Sequence, residues 1–217
     1  MNLSKKYLYP LLLIFLPPAL SAEVDFSKAI ETALQAKGYQ AIQYSTHTEV
    51  FEKDKLLVSQ DLTLERTKQE NGVEWLETES SLKGDKEEII SIGFNIKEAP
   101  EELLSGYQNP HLVKKEEIAS IPCEHWQVTD EEDEDCIIDV WIKEENNQLH
   151  MIQIPLEESN LAYSCKLKLQ IFYREHDSIP LPYKTELEGT GKSFFYKRFL
   201  KISTVYNNWK RFSTEEN

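Results

Sequence analysis

The sequence predicts a mainly β protein: one strongly curved antiparallel sheet of about ten to eleven strands behind an N-terminal helix. Three observations carry this. Apolar residues alternate with polar ones along most of the chain, the period of a strand with one buried face. Only 7 glycines occur in 217 residues, so strands are long and turns few, which suits a curved sheet better than a sandwich of short strands. The last fifty residues read as strands that cannot bury their apolar faces alone, so the preceding chain must supply a cover.

Met1–Ala22 reads as a secretory signal peptide, with Lys5 and Lys6 before the apolar run Leu11–Leu16 and small residues at Ala19-Leu20-Ser21-Ala22. The run is too short to span a bilayer. The expected domains are therefore 1–22 as leader and 23–217 as a single binding domain. Removing Lys5 and Lys6 leaves 22 basic against 38 acidic residues, a net charge of −16. That excludes binding to nucleic acid through phosphate contacts and disfavours an anionic membrane surface. Solubility in an exported compartment is a sufficient account of the charge.

In the mature region, Asp25 or Ser27 caps a helix with apolar positions Phe26, Ile30, Ala33 and Leu34, ended by Gly38. Ala41–Phe51 is a strand, and Lys53-Asp54-Lys55 turns the chain. Leu56, Val58, Leu62 and Leu64 share a face opposite Ser59, Asp61, Thr63 and Glu65. Asn71-Gly72 is a hairpin signal leading to Val73–Leu82 with Trp75. After Gly84-Asp85, Ile90, Ile92, Phe94 and Ile96 form a further strand face. Pro100–Gly106 reads as a helical turn or short helix and Tyr107–Val113 as a loop; this is either a lid over the sheet or a plain connection.

Ile118–Thr129 is a strand around Trp126. Six acids follow, Asp130 to Asp135, read as a solvated hairpin tip because they lack the glycine and spacing of a calcium loop. Ile138, Val140 and Ile142 face inward with Trp141 opposite, and Ile152, Ile154 and Leu156 follow. Cys165–Tyr173 alternates again. Pro180 and Pro182 suggest a turn before a short strand, Tyr183–Leu187. Gly189-Thr190-Gly191 suggests another turn before the last strand, Phe194–Tyr206.

No catalytic motif for nucleophilic, metallo- or phosphate chemistry occurs. The five histidines are scattered, and Cys123-x-His125 alone does not make a metal site. Neither enzyme activity, cofactor nor metal is expected. Cys123 and Cys136 flank the acidic loop on paired strands and are the expected disulfide if one forms, with Cys165 odd; three free thiols is the alternative. Large rings fall on both faces of some strands, as at Trp141 beside Val140 and Phe172 beside Ile171. Such a sheet is either covered on both sides or holds a ligand in its concavity.

The order of elements, the Cys123-x-x-Trp126 strand before Val140-Trp141-Ile142, the Ile179–Tyr183 turn and the ending Val205-Tyr206-Asn207-Asn208-Trp209 together resemble the LolA-like superfamily of periplasmic lipoprotein-sorting and carrier proteins. The resemblance implies an unclosed half-barrel with helices on its concave side, including a short helical lid. It also implies a periplasmic carrier that shields acyl chains of lipoproteins or lipids, with inner- or outer-membrane sorting proteins as partners. An envelope interaction or stress-sensing module of the same fold is the alternative. A monomer is expected. From alternation and resemblance, Leu62, Leu64, Trp75, Ile92, Phe94 and Val140 are the expected acyl-cavity wall, and Leu103 and Leu104 part of the lid.

Overall fold

A computed structural model describes residues 24–36, 39–69, 72–84, 107–130, 137–159, 163–193 and 197–211. One helix, α1 (Phe26–Leu34), precedes ten strands: β1 (Tyr39–Glu52), β2 (Lys55–Gln69), β3 (Gly72–Lys83), β4 (Tyr107–Ile118), β5 (Ile121–Asp130), β6 (Ile137–Lys143), β7 (Leu149–Ser159), β8 (Tyr163–His176), β9 (Ile179–Ser193) and β10 (Lys197–Arg211). All pair antiparallel in one sheet, in the order β3-β2-β1-β10-β9-β8-β7-β6-β5-β4. Among the described residues β3 and β4 form its two edges, and the sheet is an unclosed half-barrel. The segment between these two strands falls largely outside the described residues.

The hairpins are tight because of their turns. Lys53-Asp54, Ala119-Ser120 and Asp177-Ser178 each place two successive residues at positive φ. That is the turn whose twist matches the right-handed twist of paired strands. Register shifts in β1/β2, β2/β3, β4/β5, β6/β7 and β8/β9 add local bending, the means by which a sheet curves.

Two neighbouring rows of side chains define the faces. One row runs Leu62, Thr46, Thr204, Thr185, Ile171, Ile152, Val140, Trp126 from β2 to β5. Move one residue along each strand and the row becomes Asp61, His47, Ser203, Glu186, Gln170, Gln153, Asp139, Gln127. Side chains alternate across a strand, so the first row lies on the concave face and the second on the convex one.

Helix α1 lies on the concave face, against β7 and β9. Asp25 is its N-cap: the Lys28 N–H donates to Asp25 Oδ1 at 3.1 Å. The Asp25 N–H in turn donates to Asn147 Oδ1 at 3.4 Å, tying the helix start to the β6–β7 turn. Ala29 and Ala33 are both 0% exposed; their small side chains let the helix backbone approach the sheet closely. Phe26 packs on Trp126 with ring centroids 5.4 Å apart. Ile30, Val128, Ile138, Val140, Ile142, Ile152, Ile154, Leu169, Ile171 and Leu187 join Ala29 and Ala33 in the core, which Val50, Val58, Leu200 and Ile202 extend onto β1, β2 and β10.

Three expectations are corrected. Tyr107–Val113 is strand, not loop; Asn109, at φ 55°, and Pro110 are absorbed in a register shift of edge strand β4, where an irregularity and a missing N–H are tolerated. The β8–β9 turn is Asp177-Ser178, and Pro180 and Pro182 lie inside β9, at its start and beside the register shift at Tyr173. Gly189-Thr190-Gly191 is not a turn either. β9 runs straight through it, and a Cβ at Gly189 would lie 2.1 Å from the Lys166 carbonyl oxygen, so the glycine permits close approach of β8.

Candidate functional site

α1 packs on the concave face over β7 and β9, and the buried cluster beneath it continues onto Val50 of β1, Val58 of β2 and Leu200 and Ile202 of β10. Toward the start of β1 on the same three strands lie Leu62, Leu64, Tyr44, Thr46, Thr204 and Tyr206, all half-buried. Leu62 and Leu64 belong to neither buried cluster nor its packed fringe. The Tyr44 and Tyr206 rings sit 6.1 Å apart, and Thr46 and Thr204 share a hydroxyl hydrogen bond of 3.2 Å. Burial raises the Tyr206 phenol above its ordinary pKa, against a lowering hydrogen bond with Thr185, and burial likewise raises that of Tyr44.

A cleft of about 690 Å³ adjoins this surface, between the start of β1 and the ends of β8, β9 and β10. Ile42, Tyr183, Tyr206 and Trp209 supply its apolar walls, and Arg174 and Lys210 its charge. The Arg174 guanidinium lies 4.5 Å over the Tyr183 ring, and Trp209 packs against Tyr206 at 6.3 Å. Tyr206 lies both in the cleft and on the concave face, so the two are continuous. The volume is that of small-molecule sites; the lining is mixed, with Arg174, Glu175, His176, Asn207, Asn208 and Lys210 beside the apolar residues.

The convex face is saturated with its own polar contacts. Asp139 Oδ1 lies 2.7 Å from His125 Nε2 and accepts from Gln127 Nε2 at 2.8 Å; Asp139 Oδ2 accepts from Gln153 Nε2 at 3.2 Å. Gln170 Nε2 donates to Gln153 Oε1 at 3.2 Å. Trp141 stacks on His125 at 4.4 Å and donates its indole N–H to Glu116 at 2.9 Å. Farther along, Ser81, Asp61 and His47 adjoin one another, but the serine hydroxyl donates to Asp61 Oδ2 at 3.1 Å while His47 Nδ1 meets Asp61 Oδ1 at 2.6 Å. The base must touch the nucleophile for activation; here the carboxylate stands between them. Among the described residues no cluster of metal-ligating side chains occurs, and no helix is long and apolar enough to cross a membrane.

The expected wall residues are therefore not one patch. Val140 is 0% exposed between Trp126 and Ile152, in the core under α1. Leu62 and Leu64 are on the same face six strands away, on the part the helix leaves uncovered. Trp75 pairs with Arg66 in β3, but its side chain is outside the described residues, as are Ile92, Phe94, Leu103 and Leu104. Cys136 is also outside them. Cys123 is fully buried opposite Lys143, whereas Ile137 pairs with Thr129, six residues along β5. At about 3.3 Å per residue that is ~20 Å, a register that opposes a Cys123–Cys136 bridge. The residues missed by alternation are Tyr44, Arg174, Tyr183, Tyr206, Trp209 and Lys210, which gather at strand ends where hydrophobic period says little.

No protein-family model matches the chain, and no curated protein matches it. Solved structures similar to it include a LolA superfamily protein from Nitrosomonas europaea, at 10% identity over 88% of this chain and 95% of that one, TM-score 0.41. A second is an outer-membrane lipoprotein-sorting protein domain from Vibrio parahaemolyticus, at 8% identity over 88% and 94%, TM-score 0.41. A third is a DUF1329 family protein from Desulfovibrio piger, at 11% identity over 87% and 94%, TM-score 0.37. What the molecule does is argued below from its own two faces.

Proposed function

We propose that this protein is an exported, periplasmic, non-enzymatic carrier that takes the acyl chains of a lipoprotein or lipid onto the uncovered part of its concave face, in outer-membrane lipoprotein sorting. The observation that carries the reading is a change along β2, β1 and β10. One end joins the buried core through Val58, Val50, Leu200 and Ile202; toward the other lie half-buried Leu62, Leu64, Tyr44 and Tyr206 beside the cleft. Affinity comes from burying methylenes, about 0.8 kcal/mol each. The apolar leader at residues 1–22 supports export, and the sorting role rests on the sequence resemblance.

The test is mass spectrometry of organic extracts from the purified protein, alongside titration with a fluorescent fatty acid. A near-stoichiometric amphiphile in the extract, displaced by the probe, is the expected result. A clean extract together with no probe binding overturns the reading. A docking module of the same fold is favoured by one observation, the exposed Leu112 and Val113 on edge strand β4, 45% and 43% exposed. An unpaired edge can add a strand from a partner.

A further inference from the structure

The cleft at the ends of β8, β9 and β10 brings two cations, Arg174 and Lys210, into one lining, in a protein with 38 acidic against 24 basic residues. Five lysines elsewhere in the sheet pair with glutamates: Lys114 with Glu116, Lys115 with Glu124, Lys166 with Glu157, Lys168 with Glu188 and Lys184 with Glu186, all between 2.6 and 2.9 Å. Arg174 and Lys210 do not. Among the described residues neither is in an ion pair; Arg174 is held over an aromatic ring instead. That contact fixes the guanidinium plane and leaves its N–H fork for an acceptor. The one acid in the lining is Glu175, against the two cations Arg174 and Lys210. His176, also in the lining, lies 3.7 Å from Asp177. In the wall, the indole N–H of Trp209 is buried and finds no acceptor among the described residues.

A cationic pair beside Tyr183, Tyr206 and Trp209, continuous with an apolar surface, matches an amphiphile with an anionic end. Resting on the acyl-binding reading above, we infer that this cleft is the headgroup subsite. Arg174 and Lys210 receive a phosphate or carboxylate while the chains run over Tyr206 and Tyr44 toward Leu64. Register supports the path, since Leu64 pairs with Tyr44 and Tyr44 with Tyr206.

The experiment is isothermal titration of the purified protein with dodecyl phosphate, with dodecyl maltoside, which has the same chain and a neutral head, and with inorganic phosphate. Dodecyl phosphate is expected to bind on the order of tenfold more tightly than the maltoside, the effect of one charge-assisted hydrogen bond. Inorganic phosphate is expected to bind far more weakly than either. Arg174→Ala with Lys210→Ala should remove the preference and leave maltoside binding unchanged. Both positions are exposed, so folding is not at stake, and Leu64→Glu should weaken both detergents. Equal affinity for the two detergents, or an unchanged preference in the double variant, overturns the headgroup subsite while the acyl reading stands. Inorganic phosphate binding as tightly as dodecyl phosphate also overturns it, in favour of a free-oxyanion site. Binding of none of the three overturns both readings.

Discussion

The division of the concave face between buried core and half-buried surface predicts that two apolar truncations on one cross-strand row behave oppositely. Val140 has no exposed surface and lies between Trp126 and Ile152. Val140→Ala removes two carbons, worth about 0.8 kcal/mol each in transfer, and leaves a void under α1 that cannot collapse fully, for a total of about 2–3 kcal/mol. Leu62 is half-buried and outside the core clusters, so Leu62→Ala costs about 1 kcal/mol or less in the free protein. Its contact with a bound chain is lost instead, and a loss of about 1 kcal/mol is roughly fivefold in affinity. Urea denaturation followed by tryptophan fluorescence gives the first quantity through the midpoint at constant slope. Titration with a fluorescent fatty acid gives the second. If Leu62→Ala destabilises as much as Val140→Ala, the face is packed throughout. If Val140→Ala abolishes uptake at unchanged stability, the cavity lies under the helix. Either result refutes the division.

Other positions give separate tests. His150 is buried and its pKa is lowered, first by that burial and then by Lys143; the unfolded chain therefore takes up a proton first. Stability is complete above about pH 6.5 and falls as pH drops from there through the depressed folded value, so His150→Gln should flatten urea midpoints measured between pH 7 and 5. A wild-type curve as flat as the variant's would show that His150 does not control acid stability. Gly189→Ala forces a Cβ against the Lys166 carbonyl and Leu167 Cα and should cost about 1–3 kcal/mol or more; calorimetry showing an unchanged Tm would refute the close approach. Burial pushes the Cys123 thiol up to about 11. Its alkylation at pH 8 should therefore be negligible in the native protein and complete in urea without reductant. A Cys123–Cys136 disulfide found by peptide mapping would contradict the β5/β6 register.

What the sequence disclosed follows from where hydrophobic period is strong. In β6 and β7 the apolar alternation is regular, so Ile138, Val140, Ile142, Ile152 and Ile154 were legible as an inward face, although Trp141, His150 and Met151 between them are buried too. Of the two caps the sequence offered, Asp25 or Ser27, Asp25 is the one that forms, and α1 ends at its C-cap Gln35, short of the expected Gly38. The errors fall on Gly and Pro, whose usual role as breakers gave way to long-range pairing. Asn109-Pro110 became an edge irregularity, Pro180 and Pro182 joined a strand, and Gly189 became a point of contact between strands. Alternation also could not divide a face: Leu62 and Val140 carry the same signal, and only the placement of α1, a tertiary fact, separates core from open surface. The cleft was illegible for a related reason. Arg174 and Lys210 lie near the ends of strands 36 residues apart in the chain, and only the β8-β9-β10 order brings them together.

The sheet's asymmetry has a physical consequence for any carrier role. A face covered over its whole width would have no room for a chain, and a face wholly uncovered would expose enough apolar surface to aggregate. Here a nine-residue helix, anchored at one end by the Asp25–Asn147 contact and held close by Ala29 and Ala33, covers part of a core that continues onto Val50, Val58, Leu200 and Ile202. On the carrier reading, a ligand leaving Leu62, Leu64, Tyr44 and Tyr206 would leave those buried residues packed, so uptake and release need not be coupled to unfolding. Three threonines, Thr46, Thr204 and Thr185, interrupt the apolar row between Leu62 and Ile171, and two of them satisfy one another by the 3.2 Å hydrogen bond. On the carrier reading, a polar seam at that position would limit how far an acyl chain could run toward the core and would direct it along β2 and β1, toward Leu64 and the cleft.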